Sequence, residues 1–267
     1  MNNQGQNIKN HSHKNLHAGV TLVITSCGRE TLLHKTCMSF GRFNTYPLNE
    51  VILVEDGGIN HNSELIAKYL NVKLEKIKII KNRENIGQIK SIDIAYAEVS
   101  SEYIFHCEDD WEFYGEGFIE QSIDILEGDA NILCVWLRAH NDLNGHPIEP
   151  IDFKAPRGSK YFLIGLNFLK VWNGFTFNPG LRRISDYLAF GPYANAAIVH
   201  KFQGKYKISE SDLSIHYQKL GFRAAVLFNS KGYVRHIGGA HHLAADWEFK
   251  YLVDVKNFIR KIIYFGR

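Results

Sequence analysis

Four apolar, strand-like runs, each followed by a polar loop and then a helical pattern, constrain this chain more than any other feature. Residues 19–25 form a near-continuous β-branched run, the pattern of a parallel strand buried on both faces. The run stops at Ser26-Cys27-Gly28-Arg29, and residues 31–40 then read as a helix. Val51-Ile52-Leu53-Val54 ends in Glu55-Asp56-Gly57-Gly58 and leads to a helix over 63–70, capped by Ser63 or Asn62. Ile77-Lys78-Ile79-Ile80 precedes a polar loop at 82–87. Residues 88–99 then place Ile89, Ile92, Ala95, Tyr96 and Val99 at helical spacing. The fourth run, Tyr103-Ile104-Phe105-His106-Cys107, continues directly into Glu108-Asp109-Asp110-Trp111. Such alternation predicts a doubly wound α/β sheet that binds ligands beyond the carboxyl ends of its strands. All four polar loops fall at those ends.

The acidic triplet sharpens this expectation. Three adjacent carboxylates raise one another's pKa and oppose folding unless a cation or a set of donors meets them. Hard oxygen ligands at a sheet rim suit Mg²⁺ or Mn²⁺ held against a phosphate. The same residues would also suit a helix N-terminus, where carboxylates are favourable.

Later segments extend the pattern less regularly. Residues 116–126 read as a helix and 132–137 as another strand. From 138 to 180, Asn, Gly and Pro interrupt short apolar pieces at 161–164 and 168–172, which suggest small strands or hairpins. That segment is either a second-substrate pocket or a plain connector. Residues 181–190 and 193–202 read as helical. Ser209 caps a helix over 209–220, with Asp212 completing a capping box and Gly221 ending it. Residues 224–228 form a late strand, and Val234-Arg235-His236-Ile237-Gly238 leads to His241-His242.

With 267 residues, 45% apolar and 22% charged, the chain is sized for one compact domain. A formal charge of +3 is too small for a general nucleic-acid binder. Cys27, Cys37, Cys107 and Cys134 lie in or beside apolar runs without a CxxC pair, as reduced thiols of a cytoplasmic protein do. Residues 1–18 read as a disordered polar leader, whose His11, His13 and His17 could bind metal weakly. Residues 246–267 read as a basic C-terminal helix. Its stretch 258–265 either docks on the core or lies on a membrane surface as a peripheral contact.

The motifs Thr25-Ser26-Cys27-Gly28-Arg29, Glu55-Asp56-Gly57-Gly58, Asn85-Ile86-Gly87 and Glu108-Asp109-Asp110, in that order, resemble the nucleotide-sugar glycosyltransferases of the GT-A fold. The likeness is greatest to glycosyltransferase family two. The Glu-Asp-Asp variant of the DXD motif is also similar to that of the N-acetylglucosaminyltransferase I family. The resemblance implies one Rossmann-like, doubly wound mixed sheet flanked by helices. Residues 19–137 would form the nucleotide-sugar half and 138–245 the acceptor half.

By the same resemblance, Thr25, Ser26, Arg29, Glu55, Asp56, Gly87, Glu108 and Asp109 would bind the nucleotide sugar, with a UDP-sugar favoured. Asp110 would hold Mn²⁺ or Mg²⁺, with His236, or alternatively His241 or His242, completing the shell. Glu210 would be the general base on an acceptor hydroxyl, with Asp212 as its competitor. Arg182 and Arg183 would either stabilise the leaving diphosphate or be surface charges on a helix. The implied activity is inverting sugar transfer to a hydroxyl of a glycan or other acceptor. The rivals are a non-catalytic carbohydrate-binding module and a sugar-nucleotide pyrophosphorylase, although residues 25–30 carry only one glycine where the latter needs a glycine-rich phosphate loop.

Overall fold

The computed structural model describes residues 16–166, 174–196, 200–202, 205–207 and 209–239. Its first half runs β1 (His17–Ser26), α1 (Glu30–Phe43), β2 (Glu50–Glu55), α2 (Ser63–Leu70), β3 (Ile77–Lys81), α3 (Gln88–Glu98) and β4 (Ser101–Glu108). Then come β5 (Trp111–Phe113), α4 (Phe118–Gly128), β6 (Ile132–Trp136), β7 (Ile148–Lys154) and β8 (Lys160–Ile164). The chain continues through β9 (Gly180–Arg183), α5 (Ile184–Phe190), β10 (His200–Phe202) and β11 (Lys205–Lys207). It closes with α6 (Glu210–Lys219), β12 (Arg223–Leu227) and β13 (Val234–His236).

Among the described residues, a nine-stranded mixed sheet runs in the order β3-β2-β1-β4-β9-β6-β12-β8-β7. The strands β3, β2, β1 and β4 are all parallel, and β9 enters antiparallel between β4 and β6. Successive residues of one buried strand feed opposite cores, as the strand period of two requires. Leu22, Ile24, Val51 and Leu53 pack with Leu33, Cys37 and Phe40 of α1, whereas Val23, Ile52 and Val54 pack with Ile92 and Tyr96 of α3 and with Leu213 of α6. This explains why the first two strands read as continuous apolar runs: neither face reaches water.

Several expectations need correction. The segment 181–190 is not one helix. Gly180–Arg183 pairs with both β4 and β6, and the helix begins only at Ile184. Arg182 is therefore buried inside the sheet, not a surface charge. The expected helix over 193–202 is not found among its described residues either; a single 3₁₀ turn lies at Tyr193–Asn195, and His200–Phe202 pairs in the β10–β11 hairpin. That turn is held from afar, because the Asp93 carboxylate accepts the Tyr193 and Ala194 amides at 2.8 Å each. Strand β1 already includes His17 and Ala18, so these two residues belong to the sheet and not to the leader. The expected strand at 168–172, the alternates His241 and His242, and the C-terminal helix over 246–267 lie outside the described residues. No helix among the described residues is long and apolar enough to cross a membrane.

Candidate active site

Strand order places β1 between β2 and β4, so the connections of the parallel half diverge there and open a crevice at the carboxyl ends. A cleft of about 770 Å³ fills that crevice. Of the expected site residues, Thr25, Ser26, Arg29, Asp56, Gly87, Glu108, Asp110 and His236 line it; Glu55, Asp109, Glu210 and Asp212 do not.

The two acidic residues after β2 have separate tasks. Glu55 is fully buried, and its Oε1 accepts the amides of Gly28 at 2.9 Å and Gly57 at 2.5 Å. Its Oε2 meets His61 Nε2 at 2.7 Å. Burial pushes this carboxyl up, but the bonds from His61, the two amides and Ser26 prevail and hold it at about 2. Glu55 therefore ties the first-strand loop to the second and does not line the cleft. Gly57 makes that tie feasible, since a Cβ there would lie 2.2 Å from Gly28 N. Asp56 lines the cleft while accepting Asn82 Nδ2 at 2.7 Å and the amides of Ile86 and Gly87 at 3.0 and 2.8 Å. It thus shapes the third loop around the cleft.

The acidic triplet divides in the same way. Asp109 is buried and turned toward the first-strand loop, where Ser26 Oγ donates to it at 2.9 Å and the Arg29 guanidinium forms an ion pair with it. Burial raises its pKa, and Arg29 opposes that rise. Arg29 also reaches Asp110 Oδ2 at 2.7 Å, so one cation answers two of the three carboxylates. From α1, Thr36 Oγ1 donates to Asp109 O at 2.8 Å and accepts the Trp111 amide at 3.1 Å, which fixes the turn.

Asp110 is placed by a second, small sheet. Strand β13 pairs antiparallel with β5, in register His236 to Trp111, and Ile237 N donates to Asp110 O at 2.8 Å. His236 Nε2 then lies 3.2 Å from Asp110 Oδ2, and its ring meets the Trp111 ring edge-on at 5.1 Å. Burial acts against the Asp110 charge, but the bonds and charges of His236 and Arg29 outweigh it and lower the pKa. Its other oxygen, Oδ1, is buried with no hydrogen-bond partner among the described residues.

Glu108 points along the cleft. Gln88 Nε2 donates to one of its oxygens at 2.6 Å and Trp111 Nε1 to the other at 3.3 Å. Burial, then the nearby carboxylates of Asp110 and Glu210, push it up to about 8. The extra methylene relative to aspartate carries it to these two donors and away from the Asp109–Arg29 pair.

At the far side of the cleft, α6 starts with the expected capping box: Ser209 N donates to Asp212 Oδ2 at 2.8 Å, and Asp212 N to Ser209 Oγ at 3.3 Å. Asp212 is fully buried in that cap, which explains its carboxylate without a catalytic task. Glu210 Oε1 accepts the amide of Phe177 at 2.5 Å, the residue that precedes cleft residue Asn178 in the chain. Burial raises its pKa, against the Thr176 and Phe177 bonds and the charges of Arg182 and Arg138.

Sequence reasoning missed Gln88, Arg138, Asn144 and Asn178, all of which line the cleft. Arg138 stacks its guanidinium on Trp111, 5.3 Å from the ring centroid, and pairs with Asp142 at 2.7 Å. It immediately follows the apolar run 132–137, as the other rim residues follow theirs, and that position was the available signal.

Among the described residues, no group of three or more His, Cys, Asp or Glu side chains is arranged to hold a metal ion. What the cleft offers is a pair: Asp110, whose Oδ1 has no hydrogen-bond partner among the described residues, and the His236 imidazole 3.2 Å from its Oδ2. One hard oxygen and one nitrogen suit Mn²⁺ better than Mg²⁺. The pair fits an ion that takes its remaining ligands from a bound substrate and water, as such cations commonly do.

Comparisons with known proteins agree with this architecture. The S. aureus TarS structure aligns with a TM-score of 0.53 at 15% identity, covering 81% of this chain and 36% of that one. TarS 1-349, solved with UDP-GlcNAc, aligns at 0.52 and 13% identity, covering 84% and 62%. The mannosyltransferase PcManGT from Pyrobaculum calidifontis, solved with GDP-Man and Mn²⁺, aligns at 0.53 and 12% identity, covering 80% and 56%. This chain thus spans less than two thirds of the length of these proteins. Comparison with curated protein sequences gives no significant match. The model of the family described as Glycosyl transferase family 2 matches residues 21–188, which include the first three rim loops, the acidic triplet and β9. The chain belongs to glycosyl transferase family 2.

Proposed function

We propose that this chain is an inverting, metal-dependent glycosyltransferase that moves a sugar from a nucleoside-diphosphate sugar, a UDP-sugar by preference, to a hydroxyl of a glycan or other acceptor. The observation that carries the reading is Asp110, which lines a cleft at the carboxyl ends of β1, β2 and β4 with its Oδ2 3.2 Å from His236 and its Oδ1 without a hydrogen-bond partner among the described residues. Its support from other proteins is that TarS was solved with UDP-GlcNAc and PcManGT with GDP-Man and Mn²⁺.

In this reading, Asp56 and the 82–87 loop that it shapes bound the nucleoside end of the cleft, with Thr25 and Ser26 as its floor. Asp110 and His236 would hold the metal, which supplies Lewis-acid stabilisation of charge on the departing diphosphate when bound. Arg29 keeps the paired aspartates ionised and oriented. Glu210 takes the proton of the acceptor hydroxyl as that oxygen attacks the anomeric carbon; the bond to the diphosphate breaks on the opposite face, and configuration inverts. A raised carboxyl pKa favours this task, since a base is most effective when its pKa approaches the working pH.

The test is transfer from a panel of nucleotide sugars to glycan acceptors, with Mn²⁺ or with EDTA. Metal-dependent transfer with inversion at the anomeric carbon is the expected result. Nucleotide binding indifferent to metal, with no transfer to any acceptor, would make the chain a binding module instead.

A further inference from the structure

Arg182 sits on β9 in the middle of the sheet, only 2% exposed. Its Nη2 donates to Thr176 O at 2.9 Å, and its guanidinium carbon lies 5.3 and 5.9 Å from the ring centroids of Phe175 and Phe177. Its Nε and Nη1 have no hydrogen-bond partner among the described residues. Burying an arginine this way is costly unless a counter-charge answers it. The turn it grips, 175–177, is also fastened to α6: Phe175 N donates to Ser214 Oγ at 3.2 Å, and Phe177 N to Glu210 Oε1 at 2.5 Å. The turn is thus held between the guanidinium on one side and the Glu210 carboxylate on the other.

We propose that Arg182 is a positioning residue for Glu210: it clamps the 175–177 turn that presents an amide to that carboxylate, and it brings a buried positive charge to that turn. The inference rests on the reading of Glu210 as base. Among the described residues, the charged groups around Glu210 are Arg182 from β9, Arg138 from the segment after β6 and Glu108 from the end of β4. Asp212, on its own helix, is engaged by Ser209. The thiol of Cys134 on β6 is also within its electrostatic reach, and burial holds that thiol in its neutral form. Arg138 has a surface partner in Asp142, whereas no ring or carbonyl around Arg182 carries a negative charge. Arg182 therefore contributes a charge that nothing else in the turn neutralises.

The experiment compares R182M, R182K and E210Q in the full chain, following transfer kinetics from pH 5 to 9 and nucleotide affinity by calorimetry. In R182M, kcat should fall by about tenfold or more while donor KM stays within about twofold, the signature of a lost transition-state interaction. The acid limb of its kcat profile should move upward by about one pH unit, because a lost favourable charge raises a carboxylate pKa. R182K should restore the acid limb but only part of kcat, since an ammonium cannot reproduce the stacked fork. A wild-type acid limb in R182M, with kcat and nucleotide affinity falling together, would make Arg182 merely structural and overturn the inference. If R182M does not fold, R182K decides alone: wild-type kcat there overturns the clamp. E210Q retaining turnover would remove the base reading itself, and the inference with it. E210Q losing turnover while R182M keeps its profile would remove only the inference.

Discussion

His236 Nε2 lies 3.2 Å from Asp110 Oδ2, and the contact exists because β13 pairs with β5 directly after the acidic turn. The late strand therefore brings His236 to an acidic turn that lies more than 120 residues earlier in the chain. Gly238 is the hinge of that approach, for a Cβ there would lie 2.5 Å from Asp110 Oδ2 and 2.9 Å from Asp110 Cβ. G238A is expected to displace Asp110 or the His236 loop, at an overpacking cost of about 1–3 kcal/mol. Metal-dependent nucleotide affinity should fall more than metal-free affinity. Calorimetric titration with and without Mn²⁺, beside a thermal melt, checks both parts.

Glu55 makes stability depend on acid. Its folded pKa, held at about 2, lies below the ordinary value of 4.5, so its contribution is complete above about 4.5 and is lost as pH falls toward 2. Fully buried and bonded on both oxygens, it should contribute on the order of 3 kcal/mol at neutral pH. E55Q should lose about that much at pH 7, and its stability should vary less than wild type between pH 4.5 and 2. Guanidinium unfolding at a series of pH values is the measurement; parallel pH profiles for the two proteins would contradict the assignment.

Asp56 acts through the loop it holds. D56N retains the shape but exchanges an acceptor oxygen for a donor against the Ile86 and Gly87 amides, leaving at least one of them unpaired. Nucleotide affinity should weaken by about tenfold, with a stability loss of about 1–3 kcal/mol. Protection of the 85–87 amides in hydrogen exchange should drop in the variant alone.

Much of this was legible in the chain. The run from Val20 to Ile24 is apolar at every position except Thr21, because alternate residues enter two cores, and that reads directly as a parallel strand. The capping box of Ser209 and Asp212 is a local motif and appears as the sequence predicts. The errors arose where distant partners decide. Leu181-Arg182-Arg183-Ile184 has ordinary helix formers, but the slot between β4 and β6 turns it into a strand, and Gly180 fits there because a Cβ would meet Val135 O at 2.5 Å. Likewise, adjacent carboxylates look equivalent in one dimension. In the fold, Glu55 and Asp109 turn inward to bind loop donors while Asp56 and Asp110 line the cleft, and only the neighbouring loops determine which does which.

The central claim is that Asp110 couples nucleotide binding to a metal. The most direct measurement is calorimetric titration of a UDP-sugar into wild type and Asp110→Asn, each with Mn²⁺ and with EDTA. The account predicts that Mn²⁺ strengthens wild-type binding by about tenfold or more, the range in which mutation at metal sites is felt. It also predicts that Asp110→Asn removes this gain while keeping the EDTA-level affinity and the wild-type melting temperature to within a few degrees. Equal enhancement by Mn²⁺ in both proteins would contradict it.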